Sequence, residues 1–166
     1  MIKKMISVIF AMWCVAAIWA ADPFTGGGKD AQAVRTANTG AAAAEGDTMK
    51  ITITVNGKTL TASLFDNSSA RALVELLQKG EVTIDMHDYG NFEKVGELPV
   101  TLPRNDRQIS TDSGDLILYQ GKSFVIYYDK NSWNFTPLGK LEGIDKAELK
   151  ALLGAGNVTA VLKRAE

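Results

Sequence analysis

The amino-acid sequence predicts a mostly-β domain, either a sandwich or a barrel, that carries two helices. From residue 49 onward, many short segments have the apolar patterns of strands, and glycine, asparagine, aspartate or proline residues separate them. Only two segments repeat apolar residues with the spacing of a helix. Because strand patterns lie near both ends of this region, at residues 51–55 and 158–162, the terminal strands could pair and close the sheet.

Residues 49–64 predict a β-hairpin. Apolar residues alternate with polar ones from Ile51 to Val55 and again from Leu60 to Leu64. Between these segments, Asn56 and Gly57 supply the residue types that tolerate the positive φ angles of a tight hairpin turn. The hairpin therefore opens the domain.

Two amphipathic helices are predicted, and each has a capping residue before it and a glycine after it. The first is capped near Asn67 and ends at Gly80, and the second is capped by Asp145 and ends near Gly154. The apolar stripe of the first helix consists of Ala70, Leu73, Val74 and Leu77. We expect this stripe to cover the sheet rather than to bind a partner.

The predicted strands in the middle of the domain differ in the number of their apolar faces. Residues 81–88 place Val82, Ile84 and Met86 on one face and polar residues on the other. Residues 123–128 are apolar on both faces, which is typical of a central, covered strand. A tight turn at residues 120–122 joins this strand to the one before it.

The remaining segments are predicted as short strands, turns and polar loops. Short strands are expected at residues 109–112, 115–119 and 138–141. Polar loops are expected at residues 89–96 and 131–135, and Arg104 and Arg107 are also placed in a loop. The prolines of residues 98–103 mark an edge or a turn.

Composition limits the classes of partner. The chain has 166 residues, of which 46% are hydrophobic and 22% charged, and its net charge is −1. This length fits one ordinary domain with extensions. Basic residues form no run, so binding of nucleic acid or of an anionic membrane surface is not expected.

Residues 1–20 are predicted to be a cleaved export signal. Lys3 and Lys4 precede an apolar segment, and small residues come before the polar break at Asp22. An uncleaved anchor is the alternative, although the apolar run is shorter than a spanning helix needs. Cys14 leaves open a lipoprotein, but bulky Trp13 precedes it. We expect a periplasmic or extracellular protein that makes no membrane contact after cleavage and has no cysteine.

Residues 21–48 are predicted to be a flexible linker, and residues 49–164 the folded domain. The linker consists mostly of small and polar residues that could not bury enough apolar area to offset the entropy of ordering. Its Gly26–Asp30 run does not match a phosphate-binding loop, because no strand precedes it and neither serine nor threonine follows the lysine.

Several separated segments, taken in order, are similar to those of the small bacterial cyclophilin-like proteins. Besides the hairpin and the first helix, these are IDMHD at residues 84–88, NFEK at 91–94, GDLILY at 114–119 and NSWNFTPLG at 131–139. The resemblance implies a closed, cyclophilin-like β-barrel of about eight strands with two flanking α-helices.

The resemblance does not extend to isomerase chemistry. True cyclophilins resemble these proteins in fold, but their Phe-His-Arg and Gln-Gly-Gly-Asp segments, which supply the catalytic arginine and glutamine, are not found here. No catalytic residue is assigned. The expected function is binding of a peptide or a small ligand, and the alternative is a peptidyl-prolyl cis-trans isomerase or another enzyme that uses the same pocket.

Asp85, His87 and Asp88 form one candidate site. Asp85 and His87 share a strand face, so the carboxylate could orient the imidazole as a base. The alternative is an exposed ion pair without function. One histidine and two acids fall short of the spaced ligands that a metal site needs, so neither a metal nor another cofactor is expected.

The second group of candidate residues comes from the two predicted loops. Asn91, Glu93 and Lys94 could hold the first loop in place or contact a ligand. The rings of the second could stack on a ligand or plug the barrel. A binding pocket is predicted between the loops, at one barrel end, and its candidate residues from the second loop region are Tyr128, Asn131, Trp133, Phe135 and Thr136.

Overall fold

The structure of the protein is a computed structural model, and it describes residues 49–166. The predicted export signal and linker lie outside the described residues. The strands are β1 (Lys50–Val55), β2 (Lys58–Leu64), β3 (Val82–Tyr89), β4 (Glu93–Glu97), β5 (Arg107–Thr111), β6 (Asp115–Tyr119), β7 (Ser123–Tyr127), β8 (Asn131–Leu141) and β9 (Val158–Arg164). The helices are α1 (Ser68–Gln78) and α2 (Lys146–Leu153).

The sheet closes on itself. Its strand order is β2-β1-β9-β3-β4-β7-β6-β8-β5, and an additional pairing of β2 with β8 joins eight of these strands into a ring. β5 stays outside the ring and pairs with the first half of β8. β1 and β9 pair antiparallel, from Ile51 with Arg164 to Val55 with Ala160. The predicted barrel of about eight strands with two helices is therefore confirmed, and so is the pairing of the terminal strands.

The barrel interior contains the main hydrophobic core. Alternate residues of β1, β3 and β9 face this core, together with Phe124 and Ile126 of β7. Ala70, Leu73 and Leu77 of α1 are buried against it, as the helical spacing predicts. Asn67 caps this helix by accepting a hydrogen bond from the backbone N–H of Ala70 at 2.9 Å.

Two tight turns have the backbone that the sequence predicts. Asn56 and Gly57 have φ angles of 48° and 78°, and Gln120 and Gly121 have φ angles of 51° and 76°. Consecutive positive φ angles match the right-handed twist of the strands that such turns connect. These turns join β1 to β2 and β6 to β7.

Two segments predicted as polar loops are strands. Residues 93–97 form β4, which lies between β3 and β7, and the loop shrinks to a turn at residues 90–92. Residues 131–135 form the first half of the eleven-residue β8. Arg107 also begins β5 instead of lying in a loop. Pairing with other strands supplies the backbone hydrogen bonds in each case, and this overrides the weak local preference of polar residues.

Candidate functional site

A groove lies on the outer face of the barrel. Its base is formed by β4 and β7, whose outward side chains pack in a second cluster, separate from the interior core. The groove has a volume of about 430 Å³ and is lined by His87, Tyr89, Glu93, Val95, Tyr119, Ser123, Val125, Tyr127, Asn131, Trp133 and Phe135. The two segments predicted as loops thus meet at one groove, but on the side of the barrel and not at its end.

Aromatic rings form a continuous chain along this face. Phe92 stacks on Tyr127 with ring centroids 6.2 Å apart, and Tyr127 lies 5.7 Å from Phe135 at a tilt of 55°. Tyr89 contacts Phe92 edge-on at one end, and Tyr119 contacts Phe135 at the other. These edge-on and near-parallel contacts hold the rings in fixed orientations. The groove is therefore a preformed aromatic surface.

Two of the rings in the groove remain open to solvent. Tyr89 and Trp133 are each 60% exposed, although Tyr127 and Phe135 beside them are buried. Tyr89 is the last residue of β3, and Trp133 lies opposite Ile109 where β5 pairs with β8. Their faces are available to a bound molecule.

Glu93 is the acidic residue of the groove, and it is unusually buried for a charged side chain. Only 8% of it is exposed, and its Oε2 atom has no hydrogen-bond partner among the described residues. Burial raises the pKa of this carboxyl, while hydrogen bonding with the Tyr127 hydroxyl and the nearby His87 act in the opposite direction. The groove thus contains a carboxyl oxygen with an unused capacity to accept a hydrogen bond.

Tyr127 lies opposite Glu93 in the pairing of β4 with β7. Its hydroxyl oxygen accepts a hydrogen bond from Asn131 Nδ2 at 3.3 Å. Burial, followed by the interaction with Glu93, raises the pKa of the Tyr127 hydroxyl. The phenol therefore stays protonated and can donate its hydrogen within the groove.

A second polar cluster lies on the opposite face of the same strands. Lys94 is completely buried, and its ammonium donates to Asp88 Oδ1 at 2.7 Å and to the carbonyl oxygens of Gly154 and Gly156 at 3.0 and 2.6 Å. The hydroxyl of Tyr128 donates to the same Asp88 oxygen at 2.5 Å. We call these three side chains the interior cluster.

Each of the three side chains of the interior cluster has a hydrogen-bond partner, and the charge of Lys94 is paired with that of Asp88. Hydrogen bonds from Lys94 and then from Tyr128 lower the pKa of Asp88, and burial raises the pKa of Tyr128. The lysine uses three acceptors, which is the number of its donors. The cluster ties β3, β4 and β7 to the loop after α2, and this contact pattern indicates a structural role.

The structure divides the predicted site residues among several places. Five of them line the groove, namely His87, Glu93, Asn131, Trp133 and Phe135. Asp88, Lys94 and Tyr128 belong to the interior cluster. Asp88 is therefore separated from Asp85 and His87, because adjacent residues of a strand point to opposite faces.

The other three predicted residues lie outside the groove. Asp85 accepts a hydrogen bond from Thr159 Oγ1 at 2.8 Å and, with His87, borders a shallow polar cavity of about 670 Å³. Asn91 is exposed in the turn before β4, with φ 59°. Thr136 is buried, and its Oγ1 accepts from the backbone N–H of Asn105 at 2.8 Å.

Six lining residues were not predicted as site residues: Tyr89, Val95, Tyr119, Ser123, Val125 and Tyr127. A signal for two of them exists in the sequence, because Val125 and Tyr127 form the second apolar face of a strand. That face was interpreted as covered. In the structure, β5 and β8 cover only part of this outer face, and the groove lies between these two strands and β4.

Two further findings concern residues 49–166, the part of the chain that the structure describes. In this range, neither helix is long and apolar enough to span a membrane. The same residues contain no group of three histidine, cysteine, aspartate or glutamate side chains arranged to hold a metal ion. The groove is thus defined by its rings and by one buried carboxyl group.

The fold and the groove define a small closed β-barrel with an aromatic site on its outer face. The family model described as the cyclophilin-like family matches residues 53–163. The protein therefore belongs to the cyclophilin-like family, as the sequence resemblance predicts. No curated protein matches the sequence.

A solved structure has the same fold. The solution structure of a hypothetical protein from Archaeoglobus fulgidus superposes with a TM-score of 0.56 at 15% sequence identity, and the alignment covers 74% of this chain and 99% of the archaeal one. At this identity the similarity concerns the fold alone.

Proposed function

We propose that the protein is an exported, noncatalytic binding module whose outer groove holds a small molecule or one side chain of a peptide. The observation that carries this proposal is the exposure of Tyr89 and Trp133 in the lining of one groove. Large rings left in water forgo the stabilisation that burial would provide. A bound ligand would recover it by covering both rings.

The dimensions and chemistry of the groove support a small ligand. A volume of about 430 Å³ lies within the range of roughly 300–1,000 Å³ that is common for ligand pockets. The lining is mainly apolar and aromatic, and Glu93, Asn131 and the Tyr127 hydroxyl supply a few polar groups. Such a combination allows a ring to stack while the polar groups fix its orientation.

The absence of catalysis is part of the proposal. An arginine would be needed for cyclophilin-type isomerisation, and none of the described arginines lines the groove. Arg71 pairs with Asp66, and Arg104 pairs with Asp106. We expect no proline-peptide isomerisation above background in an assay with a cyclophilin as the positive control. A rate comparable to that control would favour the isomerase alternative.

Replacement of Trp133 tests the groove. A fragment library of small aromatic molecules is screened against the ¹⁵N-labelled protein, and binding is followed by chemical-shift changes of amides in β4 and β8. We expect Trp133→Ala to weaken any groove ligand by roughly tenfold, because a stacked ring typically contributes about 1 kcal/mol or more. Since Trp133 is largely exposed, the variant should remain folded.

Phe65→Ala is the matched control for this screen. Phe65 is also a large exposed ring, at 47% exposure, and it does not line the groove. This replacement should leave ligand binding unchanged. If no fragment shifts the groove amides, or if both variants weaken binding equally, the groove is not the binding site.

Export is tested separately from binding. The sequence of residues 1–20 supports a cleaved signal, so the mass of the protein recovered outside the cytoplasm should correspond to a chain that begins near Ala21. An unprocessed chain that remains in the cytoplasm would contradict this part of the proposal.

A further inference from the structure

We propose that the groove is selective for a small organic cation that carries N–H donors, such as a protonated amine or an amidinium group attached to an apolar body. This inference rests on the proposed binding function and names the class of ligand. The feature that carries it is the juxtaposition of the buried, unpartnered Glu93 carboxyl oxygen with the exposed rings of Tyr89 and Trp133.

The charges around the groove favour a cation. Among its lining residues, Glu93 is the one carboxylate, and none is lysine or arginine. Lys94, the next residue in the chain, points to the opposite face and is bonded to Asp88. An anionic ligand would therefore meet a buried carboxylate, with the exposed His87 as the one lining side chain that could carry a positive charge, whereas a cation would find its counter-charge in Glu93.

The unused oxygen of Glu93 defines the hydrogen-bonding part of the ligand. Buried polar atoms in folded proteins nearly always have a partner, so an orphan carboxyl oxygen at the base of a groove is exceptional. Oε2 is enclosed by the protein, so a ligand N–H would become its partner once the Glu93 side chain turns toward the groove, and a charged donor would form the stronger, charge-assisted bond. Burial raises the pKa of the Glu93 carboxyl, and a cation bound beside it would lower that pKa.

The rings complete the site. Positive charge is attracted to the face of an aromatic ring, most strongly to that of tryptophan. Trp133 and Tyr89 are exposed at the groove, and the buried Tyr127 and Phe135 offer an apolar surface for the body of the ligand. The one lining side chain that could carry a positive charge is His87 of β3, and it is exposed to solvent. A cation would thus be held between ring faces and Glu93.

Three probes of similar shape test the selectivity: benzylammonium, neutral benzyl alcohol, and benzyltrimethylammonium, which keeps the charge but has no N–H group. Each is titrated into the purified ¹⁵N-labelled protein at constant pH and ionic strength, and the Trp133 indole N–H and the amides of β4 are followed. Benzylammonium should bind roughly tenfold more tightly than either of the other two, because only it can donate a charged hydrogen bond to Glu93.

Glu93→Gln should abolish that preference, since it keeps the size of the side chain and removes its charge. Glu97→Gln is the matched control, because Glu97 is on the same strand, is exposed, pairs with Lys122 and does not line the groove. The control should retain the full preference for benzylammonium. Folding of both variants is verified from their amide spectra.

The outcomes separate the two proposals. If all three probes bind equally and Glu93→Gln changes nothing, the aromatic groove is a binding site but the cation inference is wrong. If benzyl alcohol binds best, the inference is also overturned. If none of the probes shifts the groove resonances at millimolar concentration while the fragment screen finds a groove ligand without a positive charge, the cation inference fails alone. If neither experiment finds a groove ligand, the proposed function fails with it.

Discussion

Glu93 and Lys94 are neighbours in the chain, but they are in opposite chemical situations. Lys94 enters the barrel interior, where its ammonium donates to Asp88 and to the carbonyl oxygens of Gly154 and Gly156, and Asp88 supplies the counter-charge. Glu93 faces the groove, where it is nearly as buried but has one oxygen without a hydrogen-bond partner among residues 49–166. The pKa of Asp88 is lowered and that of Glu93 is raised.

The difference between Asp88 and Glu93 indicates which of these two acids stabilises the fold. A buried charge with a full set of partners can stabilise the fold, whereas a buried acid with an unused oxygen costs stability. Such a cost is often found at functional sites, where a ligand offsets it. The interior cluster is thus interpreted as structural and Glu93 as functional, and variants of each acid can test the distinction.

The largest effect is expected for Asp88→Asn. This change leaves the ammonium of Lys94 completely buried without its counter-charge, so the free energy of unfolding should fall by roughly 3 kcal/mol. The measurement is urea denaturation of the variant beside the wild type at neutral pH.

Asp66→Asn is the control for this change. Asp66 forms an ion pair with Arg71 in which both side chains are exposed, so its replacement should change stability by less than about 0.5 kcal/mol. A loss of stability from Asp88→Asn no larger than that of the control would show that the interior cluster contributes little to stability.

A smaller effect of opposite sign is expected for Glu93→Gln. The amide still fits the groove but needs no desolvation of a charge, so at neutral or mildly basic pH stability should rise by about 1 kcal/mol. Denaturation by urea again provides the measurement. A clear loss of stability would mean that Glu93 is part of the structural framework and would weaken its assignment to a ligand site.

The smallest effects are differences in pH dependence, and they also have opposite signs. The lowered pKa of Asp88 contributes stability that is present above its ordinary value of 3.8 and is lost as the pH falls through the native value. The advantage of wild type over Asp88→Asn should therefore shrink in acid. Lys94 and Tyr128 are the groups that face this carboxylate.

Glu93 should behave in the reverse way. Its raised pKa favours folding below the ordinary value of 4.5, and this contribution is lost as the pH rises through the native value. The stability gained by Glu93→Gln should therefore grow with increasing pH over that interval. His87 and Tyr127 face Glu93, and both are retained in the variant. For each variant, the free energy of unfolding of the wild type minus that of the variant is plotted against pH. If the curves for Asp88→Asn and Glu93→Gln ran parallel, the proposed difference between the two acids would be contradicted.

The fold was predictable because its main signals are local. Alternation in β1, β2 and β3, positive-φ residues at Asn56 and Gly57, and the caps of both helices each depend on a few neighbouring residues. The pairing of β1 with β9 was expected from strand patterns at both ends of the domain. The resemblance to the cyclophilin-like family agreed with these signals and is confirmed by the match over residues 53–163.

The site was predictable only in part. The sequence predicted candidate site residues in the segments around Glu93 and Trp133, and it placed Tyr127 on a second apolar face of its strand. It predicted loops, however, where the structure has strands. β4 is a strand because β3 and β7 hold its two edges, and the first half of β8 is one because β5 pairs with it. β7 is distant in the chain from β4, as β5 is from the first half of β8, and pairing with a distant strand leaves no local pattern.

Local sequence by itself determined most of the strands, the tight turns and the helix caps, and the family resemblance implied the closed β-barrel. Only the tertiary structure decided that Glu93 and Lys94 face different environments, that Asp88 lies with Lys94 and not with His87, and that the groove opens on the side of the barrel. The physical reason is that alternation along a strand separates neighbours onto two faces, while the packing of β5 and β8 determines how far the outer face is covered.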